Sequence, residues 1–163
     1  MTRSLPRAGG VKPAHAAYTT VLHQGEGTVA DKAAMALAKS SYERCCEVPD
    51  FFQTFYRNFL AACPAARPLF ARTDFGRQDK LLRHAVGLLL IFPNQPPGEP
   101  SLLARLAERH SRRDLNIDPG LYRPFIDSLI DTVRQVDREC TPAVEQAWRT
   151  TVALGVEYMK ARY

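Results

Sequence analysis

The histidine at position 110 is the side chain whose surroundings point most directly to chemistry. Leu103, Leu106 and His110 are separated by three and four residues, which places them on one face of a helix. An imidazole on an apolar helical face is more often a core residue bonded to a backbone carbonyl than a metal ligand. The spacing by itself therefore leaves both interpretations open.

Two polar side chains, Tyr56 and Gln78, also fall on faces that should point inward. Tyr56 belongs to an aromatic stripe with Phe55 and Phe59, and Gln78 shares a helical face with Leu82. A phenol and an amide both carry hydrogen-bond donors. One interpretation of Tyr56 is a place in its aromatic stripe, with the hydroxyl bonded to the backbone.

The elements that carry these side chains are all predicted to be helices. Strand signals are sparse, because strict alternation of apolar and polar residues is rare and hairpin dipeptides are missing. Capping residues and prolines instead mark helix starts and ends. Helices are predicted from Ala33 to Cys46, from Pro49 to about Cys63, from Thr73 or Asp74 to Pro93, from Ser101 through His110, from Asp118-Pro119 through Val136, and from Thr141-Pro142 to Tyr163.

The chain divides into an extension and one domain. The N-terminal residues mix glycine and proline with small polar side chains and lack helical periodicity, so we interpret 1–34 as a flexible extension. They also lack the apolar run that a secretion signal needs. The helical pattern fills 35–163, which we take as a single all-α domain.

Composition and charge exclude several classes of protein. With 163 residues, 45% hydrophobic and 24% charged, the chain fits a globular domain. No stretch approaches the roughly 18 apolar residues of a membrane span. The net charge of +5 is spread along the chain without a nucleic-acid-binding motif. The four cysteines lack CxxC spacing, which favours reduced thiols in the cytoplasm.

The positions that carry a family resemblance are Phe55-Tyr56-Arg57-Asn58-Phe59, Pro64, Arg67-Pro68-Leu69-Phe70, Thr73-Asp74, Gln78, Leu82, Leu106, His110 and Trp148. Their order and spacing resemble bacterial single-domain globins and the haem domain of flavohaemoglobins over about 35–163. The resemblance implies a globin fold, in which a 3-on-3 helical sandwich surrounds a haem pocket.

By this resemblance, His110 is the proximal ligand of a pentacoordinate iron in haem b. Its second ring nitrogen should donate to a carbonyl one turn back, near Leu106. The chain has no CxxCH motif, so the haem should be held without covalent links. The resemblance assigns cofactor contacts to Phe70, Leu82, Leu103, Leu106, His110, Ile117, Tyr122 and Phe125.

The resemblance also gives the opposite side of the haem to Tyr56 and Gln78, with Leu82 crowding the open iron position. Dioxygen is polarised when it binds, so two donors should slow its release, whereas carbon monoxide should benefit less. For Gln78 the alternative is a position at the haem edge, facing water. Cations that could reach the haem propionates are Arg72, Arg77, Lys80, Arg105, Arg109, Arg112 and Arg113, most of which we expect simply to be solvated.

Reversible binding of dioxygen, carbon monoxide and nitric oxide, with a role in oxygen transport, is the function that the resemblance favours. One alternative is nitric oxide dioxygenation with an external reductase. The acidic residue that flavohaemoglobins place late in the last helix has no clear counterpart, since Glu157 lies too early. Another alternative is a gas sensor acting through a partner protein. The sequence leaves undecided whether the chain forms a homodimer.

Overall fold

The computed structural model describes residues 29–95 and 102–163, and the regular structure in these two ranges is helical. Three short 3-10 segments, Pro64–Phe70, Phe92–Asn94 and Pro119–Leu121, join longer elements. The described α-helices are α1 (Val29–Glu47), α2 (Phe51–Ala62), α3 (Phe75–Ile91), α4 (Leu102–His110), α5 (Tyr122–Val136) and α6 (Pro142–Lys160). The predicted all-α class is confirmed.

Side-chain caps fix several of the predicted starts. At the start of α3, the Asp74 carboxylate accepts a hydrogen bond from the backbone N–H of Arg77, with an N–O distance of 3.2 Å. The Thr141 hydroxyl accepts the Val144 amide at 3.3 Å at the start of α6. Each cap satisfies an amide that the first helical turn leaves without a partner, so the local sequence defines where both helices begin.

Other boundaries differ from the sequence prediction. The helix predicted from Pro49 begins at Phe51, because the Phe51 amide bonds the Val48 carbonyl at 3.2 Å and closes a turn first. The last helix ends at Lys160 rather than at the final residue. The predicted extension lies outside the described residues up to position 28, and its last six positions belong to α1. The Pro-rich loop at 96–100 and the predicted Ser101 cap also lie outside the described residues.

The helices pack as two layers of three. Helices α2, α5 and α6 form one layer, in which α5 packs against both neighbours. Helices α1, α3 and α4 form the other, and all three rest on α6. This arrangement is the predicted 3-on-3 sandwich, and Trp148 lies fully buried at its centre. None of the described helices is both long and apolar enough to span a membrane.

Helix α6 packs closely against α3 and α4 at Gly155. A Cβ atom on this residue would lie 2.6 Å from Cδ2 of Leu89 and 3.3 Å from Cδ2 of Leu103. Both leucines are buried, so they have little room to move aside.

We expect Gly155→Ala to lower the free energy of unfolding by about 1–2 kcal/mol, because overpacking outweighs the better helix propensity of alanine. Urea unfolding monitored by circular dichroism measures the change. Gly87→Ala in α3 is the matched control, since a Cβ there meets nothing within 4 Å, and it should be neutral or stabilising. A Gly155→Ala protein as stable as the Gly87→Ala protein would contradict the close approach.

A half-buried ion pair connects α1 to the turn between α5 and α6. The Arg44 guanidinium donates two hydrogen bonds to the Asp137 carboxylate, both of 2.7 Å. The Ser41 hydroxyl donates a third at 2.6 Å and accepts the Trp148 indole N–H at 2.9 Å. Burial alone would raise the pKa of Asp137, but the bonds from Arg44 and Ser41 outweigh it and lower that pKa.

A lowered pKa means that Asp137 contributes stability above its unfolded pKa of about 3.9 and loses it as the pH falls through the lower folded value. We expect Asp137→Asn to lower the free energy of unfolding by about 1–2 kcal/mol at pH 7, with a smaller loss at pH 3. Urea unfolding at both pH values checks this. Glu139→Gln removes the exposed partner of the same arginine, at 3.4 Å, and should change little. If Asp137→Asn lowered the free energy of unfolding equally at pH 7 and pH 3, the charge of Asp137 would not be the source of the stabilisation.

Candidate functional site

The His110 imidazole is half-buried at the last residue of α4. Its Nδ1 lies 2.8 Å from the carbonyl oxygen of Leu106, one turn back. A carbonyl only accepts hydrogen bonds, so Nδ1 carries the proton and Nε2 keeps its lone pair. The hydrogen bond expected from the sequence is therefore present, and it leaves Nε2 as the basic nitrogen.

The pKa of His110 is lowered from its ordinary value. Burial is the main cause, while the Leu106 carbonyl acts in the opposite direction and the Arg109 guanidinium nearby adds to the lowering. The neutral imidazole is consequently favoured at neutral pH, and this is the form that binds metal ions.

The backbone around His110 is held on both sides. Leu103, on the same face of α4 as His110, is fully buried and lies near Gly155 of α6. On the other side, the Ile117 amide donates to the His110 carbonyl at 2.9 Å. Leu103, Leu106, His110 and Ile117 thus form one group, which we call the imidazole wall.

Tyr56 of α2 lies on a different wall, with 4% of its surface exposed. Its ring centroid is 5.4 Å from that of Phe70 and 5.3 Å from that of Phe75. Burial raises the pKa of Tyr56 to about 12, although its interaction with the Gln78 side chain acts to lower it. The phenol is therefore protonated at neutral pH and able to donate.

Gln78 of α3 is half-buried and adjoins Tyr56, and Leu82, one turn further along α3, is buried. Sequence reasoning overlooked Asp79 beside them. One of its carboxylate oxygens is buried without a hydrogen-bond partner among the described residues, and its charge acts to raise the pKa of Tyr56. We refer to Tyr56, Phe70, Gln78 and Leu82 as the phenol wall.

The aromatic residues predicted to contact a cofactor occupy different depths. Phe125 of α5 is half-buried, with its ring centroid 5.2 Å from that of Phe55 and 6.2 Å from that of Phe59. Tyr122 is buried, and this burial raises its pKa to about 12. Helical spacing places Phe75, three residues before Gln78, on the same inward face of α3, but 38% of Phe75 is exposed in the first turn of that helix.

Helix α4, which carries His110, and helix α2, which carries Tyr56, do not pack extensively on each other. Helix α4 packs mainly against α3 and α6, whereas α2 packs mainly against α5 and α3. An open cavity of about 210 Å³ lies on the phenol side, lined by Gln53, Tyr56, Arg57, Leu60 and Phe75. Gln53, Arg57 and Phe75 are exposed, so this cavity opens on the protein surface beside Tyr56.

The cations predicted near this site are all exposed, and two of them contact other side chains. Arg109 pairs with Asp114 at 3.3 Å, and the Arg112 guanidinium lies 4.6 Å from the ring centroid of Tyr163. The exposed set is Arg72, Arg77, Lys80, Arg105, Arg109, Arg112 and Arg113.

A metal at His110 would need most of its ligands from outside the protein. In the two described ranges, no three histidine, cysteine or acidic side chains come together in a way that could hold an ion. One neutral imidazole suits a metal whose other ligands come from a macrocycle such as a porphyrin.

Comparisons with known proteins agree with this architecture. A solved structure of a Pseudomonas aeruginosa protein, described as structurally highly homologous to a human hemoglobin, superimposes on this chain with a TM-score of 0.75. The sequences are 37% identical, and the match covers 80% of this chain and 98% of that one. No protein-family model and no curated protein sequence matches the chain. Identity of this degree over nearly the whole of the other chain goes beyond a shared fold.

Proposed function

Since the chain belongs to the globin family, we propose that it binds haem through His110 and reversibly binds dioxygen and other diatomic gases on the Tyr56 side. One observation carries the proposal. The proton on Nδ1 of His110 is engaged by the Leu106 carbonyl, which leaves a neutral, basic Nε2 for iron.

The residues present fit a flat apolar cofactor with one protein ligand. Several side chains on inward-facing positions are only half-buried, as expected for groups that line a cleft rather than fill a core. These are Phe70, Gln78, Leu106, His110, Ile117 and Phe125. Fully buried neighbours such as Leu103 support them from behind.

A bound ferrous haem would supply an iron atom with one position open to a diatomic gas. His110 would hold the iron from the imidazole wall, and the exposed arginines would hold the propionates. The sequence has no CxxCH motif, so we propose non-covalent haem b. Residues 35–163 would form the haem domain, in the cytoplasm.

Tyr56 and Gln78 would discriminate among gases. The Tyr56 phenol is protonated and beside the Gln78 amide, so the pair can present O–H and N–H donors to a polar ligand. Leu82 adds an apolar surface one turn away from Gln78. A ligand that gains negative charge on binding would therefore be held longer than carbon monoxide.

The test of haem binding is a titration of the haem-free chain with haemin, followed by absorption spectra of the ferrous protein with and without carbon monoxide. We expect a Soret band that saturates at one equivalent and shifts when carbon monoxide is added. A titration without saturation, and without a shifted band, would overturn the proposal.

Nitric oxide dioxygenation with an external reductase is a second candidate, favoured by the phenol and amide donors of the same wall. It predicts nitrate formation over many turnovers when a generic reductase and nicotinamide cofactor are supplied. A yield that stops at one equivalent of nitrate would leave gas binding as the function.

A further inference from the structure

Asp79 of α3 brings a negative charge next to the phenol wall. The residue is half-buried, and its Oδ1 atom is buried without a hydrogen-bond partner among the described residues. A buried carboxylate oxygen without a donor costs stability, because it has lost its contact with water and gained no hydrogen bond in exchange. Native proteins contain few such groups, so a functional reason for this one is to be expected.

The contacts on either side of Asp79 place it where α2 and α3 meet. Phe75, one turn before Asp79, has its ring centroid 5.3 Å from that of Tyr56. Arg83, one turn after Asp79, has its guanidinium carbon 4.8 Å from the ring centroid of Phe52. Residues four apart in a helix share a face. Asp79 therefore faces the stretch of α2 between Phe52 and Tyr56.

No ion pair neutralises this charge. Arg83 stands four residues after Asp79, the usual spacing for an ion pair along a helix, but its guanidinium is turned toward α2. Across residues 29–95 and 102–163, no cation pairs with Asp79. The nearest cation on the opposing face of α2, Arg57, pairs with Asp50 at 3.8 Å. The charge of Asp79 reaches Tyr56, whose pKa it acts to raise.

We propose that Asp79 is a specificity-determining residue, whose carboxylate opposes the negative charge that a gas gains when it binds on the Tyr56 side. This inference rests on the proposed function, since the gas is the one held by the Tyr56 and Gln78 donors. Like charges repel through a protein interior more strongly than through water. Dioxygen, which gains negative charge, is therefore released sooner because of Asp79, whereas carbon monoxide is hardly affected.

The test uses Asp79→Asn, which removes the charge and keeps the size of the side chain, and Asp79→Glu, which keeps the charge. Glu43→Gln is the control, because it removes the same charge from an exposed position of α1. The release rates of dioxygen and carbon monoxide are measured on the ferrous protein by stopped flow. The C–O stretching band of the carbon monoxide complex is recorded by infrared spectroscopy.

A further measurement does not depend on haem. The haem-free chain is labelled with 3-fluorotyrosine, whose phenol is more acidic than that of tyrosine, and titrated with base while fluorine NMR spectra are recorded. Tyr56→Phe identifies the Tyr56 signal. In Asp79→Asn this signal should titrate at a lower pH than in the wild type, because a neighbouring negative charge has been removed.

Asp79→Asn should release dioxygen roughly two to five times more slowly, as expected for a unit charge acting on a partial charge at an effective dielectric constant of about 20. The release of carbon monoxide should hardly change. The C–O band should move to lower frequency, since loss of a nearby negative charge favours electron donation onto the bound gas. Asp79→Glu and Glu43→Gln should both resemble the wild type.

Three results would overturn the inference. The first is unchanged release of dioxygen from Asp79→Asn, or release of both gases slowed by the same factor. The second is slower release from Asp79→Glu as well, which would indicate an effect of shape. The third comes from the Tyr56→Phe background: there Asp79→Asn should still slow the release of dioxygen, and an effect that vanished would show that Asp79 acts through the phenol.

Failure of the proposed function would look different. A wild-type chain without a Soret band would remove haem binding and with it the role of Asp79 in selecting gases. The fluorine titration of the haem-free chain would in that case still show whether the charge of Asp79 reaches Tyr56.

Discussion

Replacing His110 by alanine should leave a folded helical protein that no longer retains haem. Removing a group that merely orients a metal ligand commonly weakens metal binding about 10- to 100-fold, so loss of the ligand itself should exceed a hundredfold. Alanine is the best helix former, and the His110 side chain is only half-buried, so α4 should persist. The measurement is the Soret band after gel filtration, together with the rate of haem transfer to an acceptor globin.

Two variants separate loss of the ligand from loss of the fold. His110→Gly leaves space for free imidazole, which should restore the Soret band when added in solution. His84→Ala removes an exposed histidine of α3 and should leave haem retention unchanged. If His110→Ala kept its Soret band and released haem at the wild-type rate, the ligand assignment would be wrong.

The parts of the fold that could be predicted depend on short-range signals. Asp74 and Thr141 cap the helices that follow them, and both caps are visible in the sequence because a capping side chain bonds an amide only three residues away. The inward face of α6 depends on the same kind of signal, since Trp148 and Val152 lie four residues apart and are both fully buried.

Long-range contacts were outside the reach of such signals. Asp137 meets Arg44 across 93 positions, and Tyr163 meets Asn116 across 47. No periodic pattern in the sequence links the two residues of either pair, because the distance between them in space depends on how α6 packs on the other layer. The close approach at Gly155 has the same origin, and the sequence shows it only as a glycine within a helix.

In the candidate site, too, the sequence predicted short-range features and missed others. The spacing of Leu106 and His110 predicted that both lie on one face of a helix. The resemblance to globins predicted the hydrogen bond from His110 Nδ1 to the Leu106 carbonyl, which is present in the structure. Burial of Asp79 next to Gln78 was not foreseeable, since a carboxylate on an otherwise polar stretch of α3 is ordinarily solvated. The exposure of Phe75 was missed because helical spacing does not tell where the core ends.

Tyr56→Phe should accelerate the release of dioxygen from the ferrous protein about 10- to 100-fold. A hydrogen bond to a group with charge contributes about 1.5–3 kcal/mol, and each 1.4 kcal/mol corresponds to a factor of ten. The phenol, whose pKa is about 12 because of burial, is a donor throughout the physiological range, so the effect should not depend on pH between 6 and about 9. Stopped-flow mixing of the oxygenated protein with dithionite measures the rate.

The comparison between gases separates loss of a donor from a change in shape. Phenylalanine keeps the ring contacts with Phe70 and Phe75, so the space around the site should hardly change. Tyr42→Phe is the control, because the Tyr42 hydroxyl already donates its proton to the Arg83 carbonyl at 2.7 Å. A lost donor should speed the release of dioxygen far more than that of carbon monoxide, since the latter gains little charge. If both gases left faster by the same factor, Tyr56 would act through packing and the assignment of a hydrogen-bond donor would have to be withdrawn.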